Sequence, residues 1–170
     1  MNLNFLGDSY DLVKRFFCHE LRTLGYVVVT DPMFTGTWND REQDFYRLIG
    51  AIRRESTLHV SDQSALFLDP DTGINTKGGR QHVSFDRLAQ EASAFAIVFA
   101  FDQSFSRQTE LFQVMKSKLA ELERLGCHAM YYNSHARFLF ASKQKRCLRE
   151  LRAHLLSLGL PPERLLESGT

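Results

Sequence analysis

Three short, almost wholly apolar segments are the strongest constraint on what this chain can fold into. They cover residues 26–30, 65–68 and 95–101, and stretches with helical periodicity separate them along the chain. A strand that is apolar on both sides is typical of a parallel sheet covered by helices on both faces. Alternation of such strands with helices therefore favours a mostly parallel sheet.

Apolar residues at helical spacing predict five helices. These cover residues 9–24, 40–54, 84–92, 108–125 and 143–158. Residues 129–132 and 138–141 are two further apolar runs joined by a short polar turn, which predicts a hairpin with an antiparallel edge strand. We therefore expect a single α/β domain over residues 1–170. Its expected fold is a Rossmann-like three-layer αβα sandwich, with a mostly parallel sheet and a C-terminal antiparallel hairpin.

The composition narrows the classes of protein to consider. Of the 170 residues, 44% are hydrophobic and 24% are charged, which is typical of a folded globular domain. Twenty-one basic and 20 acidic residues leave a net charge of +1, so any nucleic-acid contact needs a local excess of positive charge. The three cysteines form no CxxC pair, and no apolar run approaches the roughly 20 residues of a membrane span. We expect a reduced, cytoplasmic protein without a membrane partner.

Acidic side chains come directly after each of the three apolar segments. These are Asp31, Asp69 and Asp102. Because the carboxyl ends of parallel strands meet at one edge of a sheet, where ligands bind, we expect these carboxylates to converge. This convergence is the main functional signal in the sequence.

The second of these acidic sites belongs to a turn, residues 69–73, with the sequence Asp-Pro-Asp-Thr-Gly. We predict that Asp69 and Asp71 are catalytic carboxylates, whose mutual repulsion favours general acid or base use. With Asp102, or with Asp8 or Asp31, they are also candidate ligands of Mg²⁺ or Mn²⁺. The alternative is a purely structural turn, in which proline sets φ and glycine takes a positive φ.

Residues 7–14, with the sequence Gly-Asp-Ser-Tyr-Asp-Leu-Val-Lys, open the first predicted helix. Ser9 is the expected N-cap, and Asp11 in the first turn favours the helix dipole. Asp8 and Lys14 have no such local role. Lys14 lies on the polar edge of an aromatic helix and could hold an anionic group; a solvated lysine is the alternative.

Basic residues are concentrated near the C-terminus and after the third apolar segment. Arg137, Lys145, Arg146 and Arg149 give the hairpin and last helix an excess of positive charge, and Arg107 could clamp a phosphate or carboxylate. We predict that these five side chains contact nucleic acid. A solvated helix face is the alternative.

The order of these pieces resembles the class I methyltransferases, in particular the bacterial ribosomal-RNA adenine-N6 methyltransferases that open with Gly-Asn-x-x-Asp-x-x-Lys. Residues 7–14 are similar to that opening, and residues 29–36 stand where the family has a strand and a glycine-rich cofactor loop. Residues 66–70 resemble the strand that leads into the family's Asp-Pro-Pro-Tyr motif. The resemblance implies a sheet that ends with an antiparallel strand. It also implies an S-adenosylmethionine site that includes Asp8, Lys14, Asp31 and Gly36.

The chain departs from that family at two motifs. Gly36 is the one glycine in a loop where the family has several, and Asp71 and Thr72 replace the second proline and the base-stacking aromatic. The sequence also resembles uncharacterised bacterial and phage proteins with a Gly-Asp-x-x-Asp opening and an Asp-Pro-Asp-x-Gly turn.

Three functions stay open. The first is a methyltransferase-like domain with a diverged cofactor site that acts on or binds nucleic acid. The second is a Mg²⁺- or Mn²⁺-dependent hydrolase or nuclease. The third is a non-catalytic module that binds nucleic acid or protein.

Overall fold

A computed structural model describes residues 1–56, 63–79, 81–104 and 110–167. The helices in these ranges are α1 (Ser9–Thr23), α2 (Glu42–Ile49), α3 (Phe85–Glu91), α4 (Leu111–Arg124) and α5 (Lys145–Ser157). The strands are β1 (Val27–Pro32), β2 (Ile52–Arg53), β3 (Ser64–Asp69), β4 (Gly73–Asn75), β5 (His82–Ser84), β6 (Ile97–Phe101), β7 (His128–Tyr132), β8 (Phe138–Ser142) and β9 (Leu165–Glu167). Single 3₁₀ turns lie at Leu3–Phe5, Arg54–Ser56 and Pro162–Arg164.

Seven of these strands form one sheet in the order β2-β1-β3-β6-β8-β7-β9. Strands β2, β1, β3 and β6 are mutually parallel, whereas β8 is antiparallel to both of its neighbours and β9 is antiparallel to β7. Five strands of the seven therefore point the same way. The prediction of an α/β fold with a mostly parallel sheet is confirmed, and the architecture is consistent with a Rossmann-like fold.

Side chains that alternate along the strands divide the core into two layers. Phe67 and Phe99 stack at 4.8 Å between ring centroids on the face that α1, α2 and α5 cover. Leu66 and Val98 point to the opposite face, which α3 and α4 cover. Every residue of β3 and of β6 is buried, which explains why these two strands are almost wholly apolar.

Several predicted boundaries differ from those observed. Helix α2 ends at Ile49 because Gly50 adopts φ 68, and the chain then enters β2 instead of continuing as a helix to residue 54. The strand at the far edge of the sheet is β9, so the predicted edge pair β7 and β8 lies inside the sheet. Strands β4 and β5, which form a separate two-stranded parallel sheet, are absent from the predicted elements.

The N-cap of α1 is Asp8 and not the predicted Ser9. The Oδ1 atom of Asp8 accepts hydrogen bonds from the backbone amides of Tyr10 and Asp11. An aspartate at this position also favours the positive end of the helix dipole. Capping therefore gives Asp8 the local structural role that the sequence did not assign to it.

The three cysteines, Cys18, Cys127 and Cys147, are buried and free. Burial raises the pKa of the Cys18 thiol to about 12, which keeps it neutral at ordinary pH. Among the helices in the described ranges, none has both the length and the apolar character that a membrane span requires.

Candidate functional site

The carboxyl ends of β1, β3 and β6 meet at one edge of the sheet, where a cavity of about 670 Å³ opens. Its lining combines residues of the opening segment 7–14, the turn that follows β3, the end of β6 and the loop before β8. A cavity of this size is typical of small-molecule sites. We call it the first cavity.

The first cavity contains a lysine held between two buried carboxylates. Lys14 Nζ donates to Asp11 Oδ1 and to Asp69 Oδ2, each at 2.9 Å. The three residues, which we call the charged triad, are 3%, 0% and 1% exposed. Lys14 Nζ also lies 5.0 Å from the ring centroid of Phe101. One ammonium group therefore joins the opening segment to the Asp-Pro-Asp-Thr-Gly turn.

Burial raises the pKa of Asp69, although the nearby Lys14 ammonium opposes that shift. For Lys14, burial acts to lower the pKa, but the carboxylates of Asp69 and Asp11 outweigh it and the pKa is raised. Both shifts follow from two carboxylates sharing one cation away from water. Lys14 and Asp69 therefore hold their protons more tightly than the separate side chains would in solution.

Three carboxylate oxygens that line the first cavity are left without a hydrogen-bond donor among the described residues. Asp8 caps α1 through Oδ1, Asp69 accepts from Lys14 through Oδ2, and Asp71 Oδ1 accepts from the amino group of Met1 at 3.0 Å. Carboxylates in this arrangement favour groups that donate hydrogen bonds or carry positive charge.

Aromatic side chains form part of the walls. The Tyr10 hydroxyl and His135 Nε2 are 2.6 Å apart, and the two rings stack at 5.4 Å between centroids. Tyr10 also packs against Phe101, with ring centroids 5.2 Å apart. The pair links the first turn of α1 to the loop between β7 and β8, and it gives the cavity ring faces beside its carboxylates.

Asp102, the third predicted metal ligand, is buried outside the lining of the first cavity. It accepts from Lys118 Nζ at 2.5 Å and from the Tyr131 hydroxyl. Burial lowers the pKa of Lys118, with Asp102 opposing the shift. In the described ranges, no group of three or more His, Cys, Asp or Glu side chains is arranged to hold a metal ion. The structure therefore does not bring Asp69, Asp71 and Asp102 together.

The four residues of the predicted cofactor site are also divided. Asp8 and Lys14 line the first cavity, whereas Asp31 lines a second cavity of about 510 Å³. Asp31 belongs to β1 and accepts from Arg87 Nη2 at 2.6 Å and from Arg54 Nη1 at 3.3 Å. Gly36, with φ 74, lies in the loop after β1 and lines neither cavity.

The predicted nucleic-acid contacts separate as well. Arg137 lines the first cavity, while Lys145, Arg146 and Arg149 are exposed on α5. Strand β8 begins at the end of the sheet where the first cavity lies, and it runs away from that cavity. Helix α5 follows β8 and therefore starts at the opposite end of the strands. Arg146 Nε lies 3.8 Å from Glu150 Oε1, and this carboxylate reduces the local excess of positive charge. Arg107 lies outside the described residues.

Several residues at these sites were not among those predicted from the sequence. Tyr10 and His135 have no local pattern that marks them, because their contact spans 125 positions. Lys118 does carry a signal: it lies between Met115 and Leu122 on the buried stripe of α4. A lysine on an apolar helix stripe requires a buried partner, which here is Asp102.

Fold and site together define an α/β domain with an acidic, aromatic-walled cavity at the carboxyl edge of its sheet. The chain matches no protein-family model, and comparisons with curated proteins and with solved structures gave no match either. The chemistry of the cavity is therefore the basis for assigning a function.

Proposed function

We propose that this chain is a methyltransferase-like α/β domain with a diverged cofactor site, which binds S-adenosylmethionine in the first cavity and acts on or binds nucleic acid. The charged triad is the observation that carries the proposal. It joins Asp11 and Lys14 of the opening segment to Asp69 of the turn within one cavity. These are two of the three segments through which the sequence resembles the adenine-N6 methyltransferases.

The chemistry of S-adenosylmethionine suits the cavity lining. The molecule carries a sulfonium centre, an ammonium group and a planar purine. The carboxylates of Asp8, Asp69 and Asp71 favour cations and hydrogen-bond donors. The rings of Tyr10 and Phe101 offer faces that attract both a cation and a base.

The departures from the family motifs have a counterpart in the geometry. Gly36 and Asp31 lie outside the first cavity, so the proposed ligand contacts come from the opening segment and the turn. Thr72 stands where the family has an aromatic ring, and Tyr10 and Phe101 provide aromatic surface within the same cavity. Both features support a diverged site rather than a conventional one.

Isothermal titration with S-adenosylmethionine tests the proposal. Asp69→Asn keeps the side-chain shape but removes a charged acceptor, so we expect binding to weaken by roughly tenfold or more. Asp44→Asn, on the exposed side of α2, is the matched control and should bind as the unmodified chain does. Absence of heat at millimolar S-adenosylmethionine in the unmodified chain would reject the proposal.

Thermal unfolding with and without metal ions distinguishes the hydrolase hypothesis. A metal ion that binds the folded state raises the melting temperature by mass action. A rise with Mg²⁺ or Mn²⁺ that disappears in the double variant Asp69→Asn, Asp71→Asn would favour a metal-dependent hydrolase instead.

A further inference from the structure

A buried ion pair outside the first cavity holds the backbone that leaves the Asp-Pro-Asp-Thr-Gly turn. The Ile74 amide donates to Asp102 Oδ1 at 3.0 Å, and Lys118 Nζ donates to the Ile74 carbonyl at 3.1 Å. Lys118 Nζ and Asp102 Oδ2 are themselves 2.5 Å apart. The pair therefore binds the donor and the acceptor of the same residue, directly after the turn.

The turn approaches this ion pair closely because residue 73 has no side chain. Gly73 adopts φ 98, and a Cβ built there would lie 2.3 Å from Asp102 Oδ1 and 2.7 Å from the Gln103 amide. Such a separation is far inside van der Waals contact. The conformation and the packing of the turn both depend on glycine at this position.

The same carboxylate also orders the chain that leaves β6. Asp102 Oδ1 accepts from the Ser104 amide at 3.1 Å and from the Ser104 hydroxyl at 2.6 Å. Gln103, between these two residues, lines the first cavity, as do Pro70 and Asp71 of the turn. One buried carboxylate thus fixes the backbone behind two walls of the cavity.

A buried ion pair is weak support for stability, because desolvation offsets its attraction. Asp102 and Lys118 are 1% and 8% exposed and line neither cavity. Direct contact with a ligand is therefore not their role. Their hydrogen bonds instead converge on the backbone of the two cavity walls.

We propose that Asp102 and Lys118 are positioning residues that set where the carboxylates of Asp69 and Asp71 stand in the first cavity. Their effect on binding rests on the function proposed above, with S-adenosylmethionine as the ligand. Their effect on the turn does not depend on any ligand, so the two can be tested separately.

Two glycine variants provide the test. Gly73→Ala introduces a positive-φ strain and a clash with Asp102, whereas Gly159→Ala, at φ 90, introduces the strain alone because no atom lies within 4 Å. Amide hydrogen exchange is followed by NMR at Ile74 and at Val98 in the centre of the sheet. We expect Gly73→Ala to speed exchange at Ile74 by roughly tenfold or more relative to Val98, and Gly159→Ala to change both alike.

A lysine pair keeps the proposal testable if Gly73→Ala does not fold. Lys118→Met removes the bond to the Ile74 carbonyl, and Lys116→Met, on the exposed side of the same helix, is its control. We expect Lys118→Met alone to release Ile74 and to weaken S-adenosylmethionine binding by roughly tenfold.

The proposal is overturned if Gly73→Ala and Lys118→Met each accelerate exchange at Ile74 and at Val98 by the same factor. Such a result indicates a general loss of stability. If the unmodified chain binds no S-adenosylmethionine, the proposed function fails, while exchange at Ile74 still decides whether the ion pair positions the turn.

Discussion

At the scale of single residues, Lys14 determines the charge balance of the first cavity. Its ammonium serves two buried carboxylates, Asp11 and Asp69. The sequence predicts both Lys14 and Asp69 as site residues, each for a separate reason. Their pairing spans 55 positions, so no local pattern reports it. With 3% of its surface exposed, Lys14 is not the solvated lysine of the alternative interpretation.

We expect Lys14→Met to lower the free energy of unfolding by about 3–5 kcal/mol at pH 7, because two buried carboxylates lose their cation. The loss should be smaller near pH 4, about the ordinary pKa of an aspartate, since Asp69, whose pKa burial already raises, then takes up a proton. Urea unfolding at these two pH values measures the loss in free energy of unfolding, with Lys116→Met as the control. An equal loss at both pH values would contradict the ionic origin.

The raised pKa of Lys14 determines how the same difference in stability changes at high pH. On the alkaline side of neutrality, its stabilising contribution is retained up to the ordinary lysine value of about 10.4 and is lost as the pH rises through the folded value. The difference between the unmodified chain and Lys14→Met should therefore also decrease at strongly alkaline pH.

At the scale of elements, apolar periodicity predicts α1, α5 and the central strands, because these elements bury one stripe or both faces. It does not predict the end of α2, where the left-handed Gly50 stops a pattern that continues in the sequence. Strands β4 and β5 have three residues each. Their pairing depends on the neighbouring turn and on Asp102, and such tertiary contacts leave no periodic signal.

Docking of α1 gives a prediction at this scale. Phe17 is fully buried, and its ring packs 4.7 Å from Phe138 and 5.2 Å from Phe140 between centroids. We expect Phe17→Ala to lower the free energy of unfolding by about 3–5 kcal/mol. Leu12→Ala, on the same helix but 57% exposed, should stay within about 0.5 kcal/mol. Chemical denaturation of both variants provides the comparison, and similar losses would disprove this orientation of α1.

At the scale of the whole molecule, the sequence predicts that the three carboxylates lie at the same end of the strands, but not the face of the sheet to which each one points. In the parallel register, Asp31 pairs with Leu68, and Leu68 faces α3 and α4. Asp69 lies one residue further and points to the α1 face, where it meets Lys14. Asp102 follows Phe101, which faces the α1 side, and so points the other way. Side-chain alternation along the strands therefore points Asp69 to one face of the sheet and Asp31 and Asp102 to the other, although all three lie at the same end of the strands.

The positions of the first cavity and of α5 give a further prediction. Because the exposed cations of α5 begin at the opposite edge of the sheet, the double variant Lys145→Glu, Arg149→Glu should leave S-adenosylmethionine affinity unchanged to within about twofold. We expect its affinity for a short single-stranded nucleic acid to fall, with a weaker dependence on salt. Fluorescence anisotropy at two salt concentrations measures this, and unchanged nucleic-acid affinity would exclude α5 as the contact surface.

The 55-position separation of Lys14 and Asp69 also has a consequence for how the chain folds. Helix α1 can form from local contacts, but its lysine meets the second carboxylate only after β3 has joined β1 in the sheet. Closing a loop of that length carries an entropic penalty that local elements avoid. We therefore expect the first cavity to form late in folding, after α1 and after the pairing of β1 with β3.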